Sequence, residues 1–348
     1  MMRAAVLEEI GRLRLKQVPV PEPGPGEVLV RIEANTICGT DLRIISGAKT
    51  AGVRPGVILG HEFAGRVAAV GRGVDGVPVG AQVTCSIVVS CQRCRACLSG
   101  REQLCENLVL FGYELDGGLA EYLLVPRIAM DHGNLVVLEK EIPATTLALA
   151  EPVSCCLNGA GQVAVAPGES VVVLGTGPIG LLHIALAKLA GATTILAAGR
   201  EGRLAAATDF GATCAVALTG EALTAEVRER TNGRGADVVI VAVGDLALAN
   251  QALELAAIGG RVNYFAGFPK GKTASIDPNL IHYRELAVTG GSNARRADVR
   301  RAVELLSSGA LDVGRLVTHR FPLAELDAAV TAVARRDGLK VAVMPAAG

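Results

Sequence analysis

The sequence predicts an α/β protein, a doubly wound parallel sheet joined to a second, β-rich domain. Three observations carry this. An apolar β-branched run, Val171-Val172-Val173-Leu174, breaks into glycines and then opens an amphipathic segment reaching about residue 190. The chain beyond it repeats a strand–helix rhythm, the pattern of a parallel sheet covered by helices. The chain before it is made of short alternating runs separated by glycine and proline, the pattern of a compact β domain. A length of 348 residues suits two domains.

The glycine stretch is Gly175-Thr176-Gly177-Pro178-Ile179-Gly180. Its G-x-G-x-x-G spacing gives each glycine a task. Gly175 permits a tight turn, Gly177 lets the backbone approach a pyrophosphate, and Gly180 lets the new helix pack on the strand. The helix would aim its first N–H groups at the phosphates. Among 42 glycines such spacing alone says little. Following a strand and preceding a helix, it reads as a dinucleotide site, with Gly175, Gly177, Pro178, Ile179 and Gly180 as candidate contacts. Further strands are expected at 193–197, 215–218, 237–242, 261–265 and 285–290, with helices at 204–210, 223–231 and 246–257 between them. The tail carries helical patterns at 297–308 and 323–336 and a closing strand at 340–344.

Upstream, residues 1–20 read as two short strands and 27–34 as a third, with Val28, Val30 and Ile32 alternating against Leu29, Arg31 and Glu33. Residues 65–83 are strand segments broken by Gly71, Gly73, Gly76 and Gly80. Residues 112–125 read as a strand pair around Asp116-Gly117-Gly118. Residues 145–166 form a small, apolar helical stretch with Glu151-Pro152 inside it.

Of nine cysteines, Cys91, Cys94, Cys97 and Cys105 follow a C-x-x-C-x-x-C-x7-C pattern. Four thiolates this close suit one tetrahedral zinc, and a complete set leaves no open position, so the role is structural. The surrounding loop is polar, and a bound zinc would supply on the order of 10 kcal/mol of local folding free energy. Four unrelated cysteines, a redox pair or an iron–sulfur cluster are the competing readings. Cys85, Cys155, Cys156 and Cys214 read as packed thiols.

Basic and acidic residues balance at 34 each, half the residues are hydrophobic and 3% are aromatic. Nothing there points to nucleic acid or to an anionic membrane. No apolar run reads as a membrane span, and residues 1–11 lack a signal-peptide pattern. A cytoplasmic protein acting on a small molecule is expected.

Cys38, His61 and Glu62 are candidates for a second metal, and Glu151, an acid in apolar surroundings that needs a partner, is a fourth. A thiolate, an imidazole and a carboxylate make an open zinc site able to polarise an alcohol or carbonyl oxygen. Singly, each residue has an ordinary reading: a hydrogen-bonded histidine, a buried thiol, a surface acid.

Together these residues resemble a known family. Cys38-Gly39-Thr40-Asp41, Gly60-His61-Glu62 with Gly65, the four-cysteine lobe and the glycine loop occur in the order found in zinc-dependent medium-chain alcohol and polyol dehydrogenases. The sequence is most similar to the sorbitol, threonine and sugar-alcohol dehydrogenase branch. The resemblance implies a GroES-like catalytic domain from 1–153 and 287–348, and a Rossmann domain at 154–286. It implies one catalytic and one structural zinc per chain, the catalytic zinc held by Cys38, His61, Glu62 and Glu151, with Glu62 and Glu151 alternating or one acting through water. It implies that zinc lowers the pKa of the substrate hydroxyl, that Thr40 accepts its hydrogen bond and starts a proton relay, and that hydride passes to C4 of the nicotinamide. Glu62 and Glu151 count with Thr40 among the catalytic residues. Asn158 would line the nicotinamide end. Many relatives carry a histidine where this chain has Arg43, which puts the outer relay in question. The resemblance also implies a homo-oligomer, a dimer or tetramer.

The choice of dinucleotide falls at the end of the second Rossmann strand, where an acid selects NAD and arginine accommodates the 2′-phosphate of NADP. Ala198 occupies the acid's place, and Arg200 and Arg203 flank it. Arginine pairs bidentately with phosphate, so NADP(H) is favoured over NAD. A shift of register would make Glu201 the ribose acid, and NAD would then win. The expected function is hydride transfer between NAD(P) and a secondary alcohol: a polyol, sugar alcohol or cyclitol. An L-threonine 3-dehydrogenase is the alternative. A metal-free NADPH-binding relative would have no use for Cys38, His61 and Glu62.

Overall fold

The computed structural model describes residues 1–345. The chain forms two compact units, Cys155–Ser292 and Met1–Ser154 with the chain from Asn293 onward.

In the unit Cys155–Ser292, six strands pair in parallel. Their spatial order is Cys214–Val216, Thr194–Ala198, Ser170–Leu174, Ala236–Val241, Ala256–Tyr264 and Ala287–Gly290. Taken in chain order this is 3-2-1-4-5-6, the doubly wound arrangement. A parallel strand covered on both faces must be apolar on both faces. Ser170–Leu174 is buried at every position. Its Val172 and Leu174 join Val239, Val241, Val262, Leu223 and Leu253 in one core. The second boundary lies later than the expected 286/287. The strand Ala287–Gly290 pairs with Ala256–Tyr264, and those hydrogen bonds keep it in the parallel sheet.

In the other unit, the strands Val317–Pro322, Lys340–Met344, Val28–Thr36, Glu62–Val70, Gln82–Cys85 and Leu135–Val137 lie side by side, and Tyr122–Val125 also pairs with Val28–Thr36. All pairings are antiparallel except that of Val317–Pro322 with Lys340–Met344. Met2–Glu9 and Arg12–Val18 form a separate hairpin. Val28, Val30, Ile32, Leu59, Phe63, Phe111 and Leu119 fill the core. Two registers matter for the site. Thr36 stands opposite Glu62, and Ala342 stands opposite Thr36. The strand Lys340–Met344 is thereby laid on one side of Val28–Thr36 while the strand carrying Glu62 lies on the other, so both meet at Thr36.

The expected strand pair at 112–125 is corrected by the structure. Only Tyr122–Val125 is a named strand there, and residues 117–119 instead hydrogen-bond the backbone of 58–60. The glycines pack too closely for a hairpin of their own: a Cβ on Gly117 would lie 2.0 Å from the Gly60 carbonyl oxygen. The helices Gly39–Ile45 and Pro278–Arg284 and the strand Val317–Pro322 add to what the sequence pattern suggested. No described helix is long and apolar enough to cross a membrane.

Candidate active site

Gly60 fixes the approach to His61. Its φ of +95° is a left-handed conformation, and a Cβ there would sit 2.7 Å from the backbone nitrogen of Leu119. Main-chain bonds from Gly118 to Gly60 (2.8 Å) and from Leu119 to Leu59 (2.9 Å) clamp this turn. His61 and Glu62 are delivered at the head of the strand Glu62–Val70. Cys38 arrives from the neighbouring strand Val28–Thr36 and is the N-cap of the helix Gly39–Ile45.

One donor atom from each of Cys38, His61 and Glu62 lies within 4.8 Å of the others. Zinc–ligand bonds of about 2.0–2.3 Å place tetrahedral donors about 3.3–3.8 Å apart, so the spacing and the donor types fit a zinc ion with an open position. His61 is 3% exposed and Glu62 1%.

Asp41 organises two of the three donors. Its Oδ2 accepts from the Cys38 backbone N–H at 2.8 Å, and its Oδ1 lies 3.1 Å from His61 Nδ1. Holding Nδ1 leaves Nε2 as the ligand atom, the carboxylate–histidine arrangement common around zinc. Burial works against a charged His61, but Asp41 and then Cys38 hold its pKa well above the ordinary histidine value. The sequence carried a signal for Asp41: it stands three residues after Cys38, the spacing of a helix capping box.

Lys340 and Thr36 are functional neighbours that local reading missed. Glu62 accepts from Lys340 Nζ at 2.6 Å and from the Thr36 hydroxyl. Burial lowers the pKa of Lys340, yet the Glu62 carboxylate, Cys38 and Glu151 outweigh it and raise the pKa far above the usual range. A buried ammonium thus partners the buried Glu62 carboxylate beside the Cys38 thiol.

Glu151 lies outside the three-donor group. It is half-buried in the first turn of the helix Ala150–Val163 and acts at longer range, its charge raising the pKa of Tyr113 and Lys340. Three of the four expected ligands are therefore assembled. Thr40 is two residues from Cys38, and its hydroxyl accepts from Arg43 Nη2 at 2.9 Å.

Cys91, Cys94, Cys97 and Cys105 also bring their sulfurs within 4.8 Å of one another. Cys94 Sγ is 3.5 Å from Cys97 Sγ and 3.8 Å from Cys105 Sγ, close to the roughly 3.8 Å edge of a tetrahedral zinc–thiolate site. Backbone N–H groups favour thiolate. Those of Arg93 and Cys94 bring Cys91 down to about 6, and those of Cys97 and Glu106 lower Cys94. The N–H groups of Cys91 and Asn107 donate to Cys105 Sγ at 3.2 and 3.3 Å. The lobe is tied to the C-terminal helix Arg296–Ser307 by Arg296 Nη2 on Glu102 Oε2 at 2.7 Å.

The glycine loop has the expected local form. A Cβ on Gly180 would meet the Gly175 carbonyl oxygen at 1.8 Å, so only glycine lets the helix Pro178–Leu189 begin here. A Cβ on Gly177 would meet only Arg203 Nη1 within 4 Å, at 3.6 Å. Ala198 ends its strand and its carbonyl accepts from Gly175 N–H at 2.7 Å. Arg200 is exposed, and among the described residues no carboxylate forms an ion pair with it. Asn158 is buried and donates to the Ser292 carbonyl at 3.3 Å.

Residues 24–132 match the family described as "Alcohol dehydrogenase GroES-like domain", and residues 178–308 match "Zinc-binding dehydrogenase". The chain is 37% identical over 313 residues to an L-threonine 3-dehydrogenase of Pyrococcus furiosus, covering 88% of this chain and 87% of that protein. It is 33% identical over 325 residues to an L-galactonate-5-dehydrogenase of Escherichia coli, covering 93% of each. A zinc-binding dehydrogenase of Sinorhizobium meliloti solved with NADP superposes with a TM-score of 0.92 at 36% identity, over 99% of both chains. The chain belongs to the zinc-dependent medium-chain alcohol dehydrogenase family. It is a zinc-dependent oxidoreductase that uses a nicotinamide dinucleotide and acts on a small alcohol.

Proposed function

We propose that the protein oxidises a secondary alcohol, of the polyol, sugar-alcohol or cyclitol class or a relative such as L-threonine, with NADP favoured over NAD. The observation that carries this is the open set of Cys38, His61 and Glu62, with His61 oriented by Asp41. Cys38, His61 and Glu62 would hold the catalytic zinc, with Glu151 available from nearby. Cys91, Cys94, Cys97 and Cys105 would hold the structural one. A bound zinc supplies Lewis acidity, making an alcohol proton easier to remove. Thr40 Oγ1 takes the hydrogen bond of the substrate hydroxyl. Arg43 already donates to that oxygen, and a guanidinium offers no acceptor, so the proton leaves Thr40 by a route other than residue 43. Asp41 keeps His61 in one tautomer, and Lys340 offsets the charge of Glu62.

The unit Cys155–Ser292 serves the dinucleotide through Gly175, Gly177, Pro178, Ile179 and Gly180, and the remainder serves catalysis. Support for NADP comes from the methyl side chain of Ala198 where an acid would repel a 2′-phosphate, and from Arg200 and Arg203 beside it. The expected homo-oligomer rests on the family resemblance, and the expected cytoplasmic location on composition and the signal-free pattern of residues 1–11. The test follows the reduced-nicotinamide absorbance with the zinc-loaded protein, using polyols, cyclitols, L-threonine and simple secondary alcohols against both dinucleotides. Turnover that is faster with NADP is expected. Turnover confined to primary alcohols, or a clear preference for NAD, would overturn the corresponding half of the reading.

A further inference from the structure

The helix Gly39–Ile45 and the turn that follows it carry two cations, Arg43 and Lys49. Arg43 donates to the Thr40 hydroxyl, and Lys49 Nζ stands over the ring of Tyr113 at 5.1 Å from its centroid. The Lys49 backbone N–H donates to the Arg43 carbonyl at 2.9 Å, which ties the turn that carries Lys49 back to the last turn of the helix that carries Arg43. Tyr113 in turn lies against the zinc-ligand candidate His61, ring centroids 5.6 Å apart. Among the described residues neither cation forms an ion pair. Acids on neighbouring elements are engaged elsewhere. Glu114 accepts from the Leu110 backbone N–H at 3.0 Å, while Glu8 and Glu9 pair with Arg12. Burial, then the like charge of Arg43, pulls the pKa of Lys49 below the ordinary lysine value, with Glu114 opposing.

Arg43 is exposed and Lys49 half-buried, so water screens their like charge; an anion placed between them would relieve what repulsion remains and gain from both. A neutral polyol gives them no charge to meet. We infer that the substrate is a hydroxy acid whose carboxylate is held by Lys49 and Arg43 while its carbinol carbon sits at the Cys38–His61–Glu62 site. This deepens, and rests on, the secondary-alcohol reading above. An aldonate and a β-hydroxy amino acid share the needed chemistry: a secondary hydroxyl and a carboxylate on one short chain. A site built for a charged group discriminates strongly against an analogue that lacks it.

The experiment compares matched pairs with the zinc-loaded full chain: L-galactonate against galactitol, and L-threonine against L-threoninamide, with butane-2,3-diol as a simple reference. One pair should show the acid favoured at least tenfold in kcat/KM, and which pair does so tells aldonate from amino acid. Lys49→Met should reduce that acid-to-neutral ratio at least tenfold, mainly through KM, and Lys49→Arg should restore most of it. Arg43→Gln should act in the same direction. The inference is overturned if butane-2,3-diol or a neutral member is turned over as well as its acid, which leaves the secondary-alcohol reading standing. It is also overturned if the variants weaken NADP(H) binding, read by fluorescence titration, without changing the acid-to-neutral ratio, since the cations would then serve the dinucleotide. Silence with every alcohol would remove the underlying reading and this one with it.

Discussion

Asp41 links the backbone to the metal chemistry, because one carboxylate caps a helix with one oxygen and orients a histidine with the other. Loss of such a partner typically weakens zinc binding about 10–100-fold. Asp41→Asn should therefore reduce zinc affinity by that order, measured by competition with a chromogenic chelator; unchanged affinity would show that His61 is held by packing alone. Lys340 poses the opposite problem. Removing one partner of a buried pair leaves an uncompensated charge and costs about 3–5 kcal/mol. Lys340→Met should lower the denaturation midpoint of the metal-free protein accordingly, and a shift worth less than about 1 kcal/mol would mean that Glu62 finds other compensation. Both residues show why the site was only partly legible. Cys38, His61 and Glu62 stand in short motifs whose residue types imply metal chemistry. The partner of Glu62 lies 278 residues away, and only strand pairing brings it there. Glu151 was legible as an acid needing a partner, but a local pattern carries no distance, and the three-donor group forms without it.

Among elements, the strand Ser170–Leu174 and the helix Pro178–Leu189 were the most readable, because a buried parallel strand must be apolar throughout and a glycine turn has few alternatives. The loop 112–121 was the least readable. Its glycines are explained by packing against Gly60, a contact across some fifty residues that alternation cannot reveal. The helix Pro178–Leu189 also contains His183, a feature that its amphipathic pattern conceals. His183 is 1% exposed, neither ring nitrogen has a hydrogen-bond partner among the described residues, and the ring packs edge-on against Phe265 at 4.6 Å. Burial lowers its pKa to about 3. The unfolded chain, with an ordinary value near 6.5, takes up the proton first as pH falls, so this group's share of stability is intact above about 6.5 and is lost on acidification. Between pH 7 and pH 5 that loss is about 2 kcal/mol. His183→Leu should remove that part of the acid sensitivity, seen as a smaller change in urea midpoint between the two pH values. Equal changes in both proteins would mean that the fold admits the protonated ring. At the end of the neighbouring strand, Ala198→Asp with Arg200→Ser should shift the NADP-to-NAD ratio of kcat/KM toward NAD by tenfold or more. An unchanged ratio would remove Arg200 from the 2′-phosphate.

For the whole chain, the two cysteine-containing groups differ in what they leave open, and this predicts different consequences of losing each. The four-thiolate lobe is closed and joined to the helix Arg296–Ser307 through Glu102 and Arg296, so a metal bound there would stiffen a lobe whose ion pair links segments nearly two hundred residues apart in sequence. The Cys38–His61–Glu62 group sits on strands already paired in a sheet and on a core that includes Ile32, Leu59 and Phe63, so its geometry is set before any metal arrives. A metal that closes a polar loop contributes to folding, whereas a metal that enters a formed site contributes chiefly to activity. The wild-type chain should bind two zinc ions by native mass spectrometry. Cys38→Ser should bind one, lose turnover and keep a thermal midpoint within about 2 °C of wild type. Cys94→Ser should also bind one, but its midpoint should fall by several degrees, since 1 kcal/mol corresponds to about 1–4 °C in a chain of this size. Equal midpoints for the two variants would show that the lobe folds without its metal and that the polar loop is held by Arg296 and the surrounding chain.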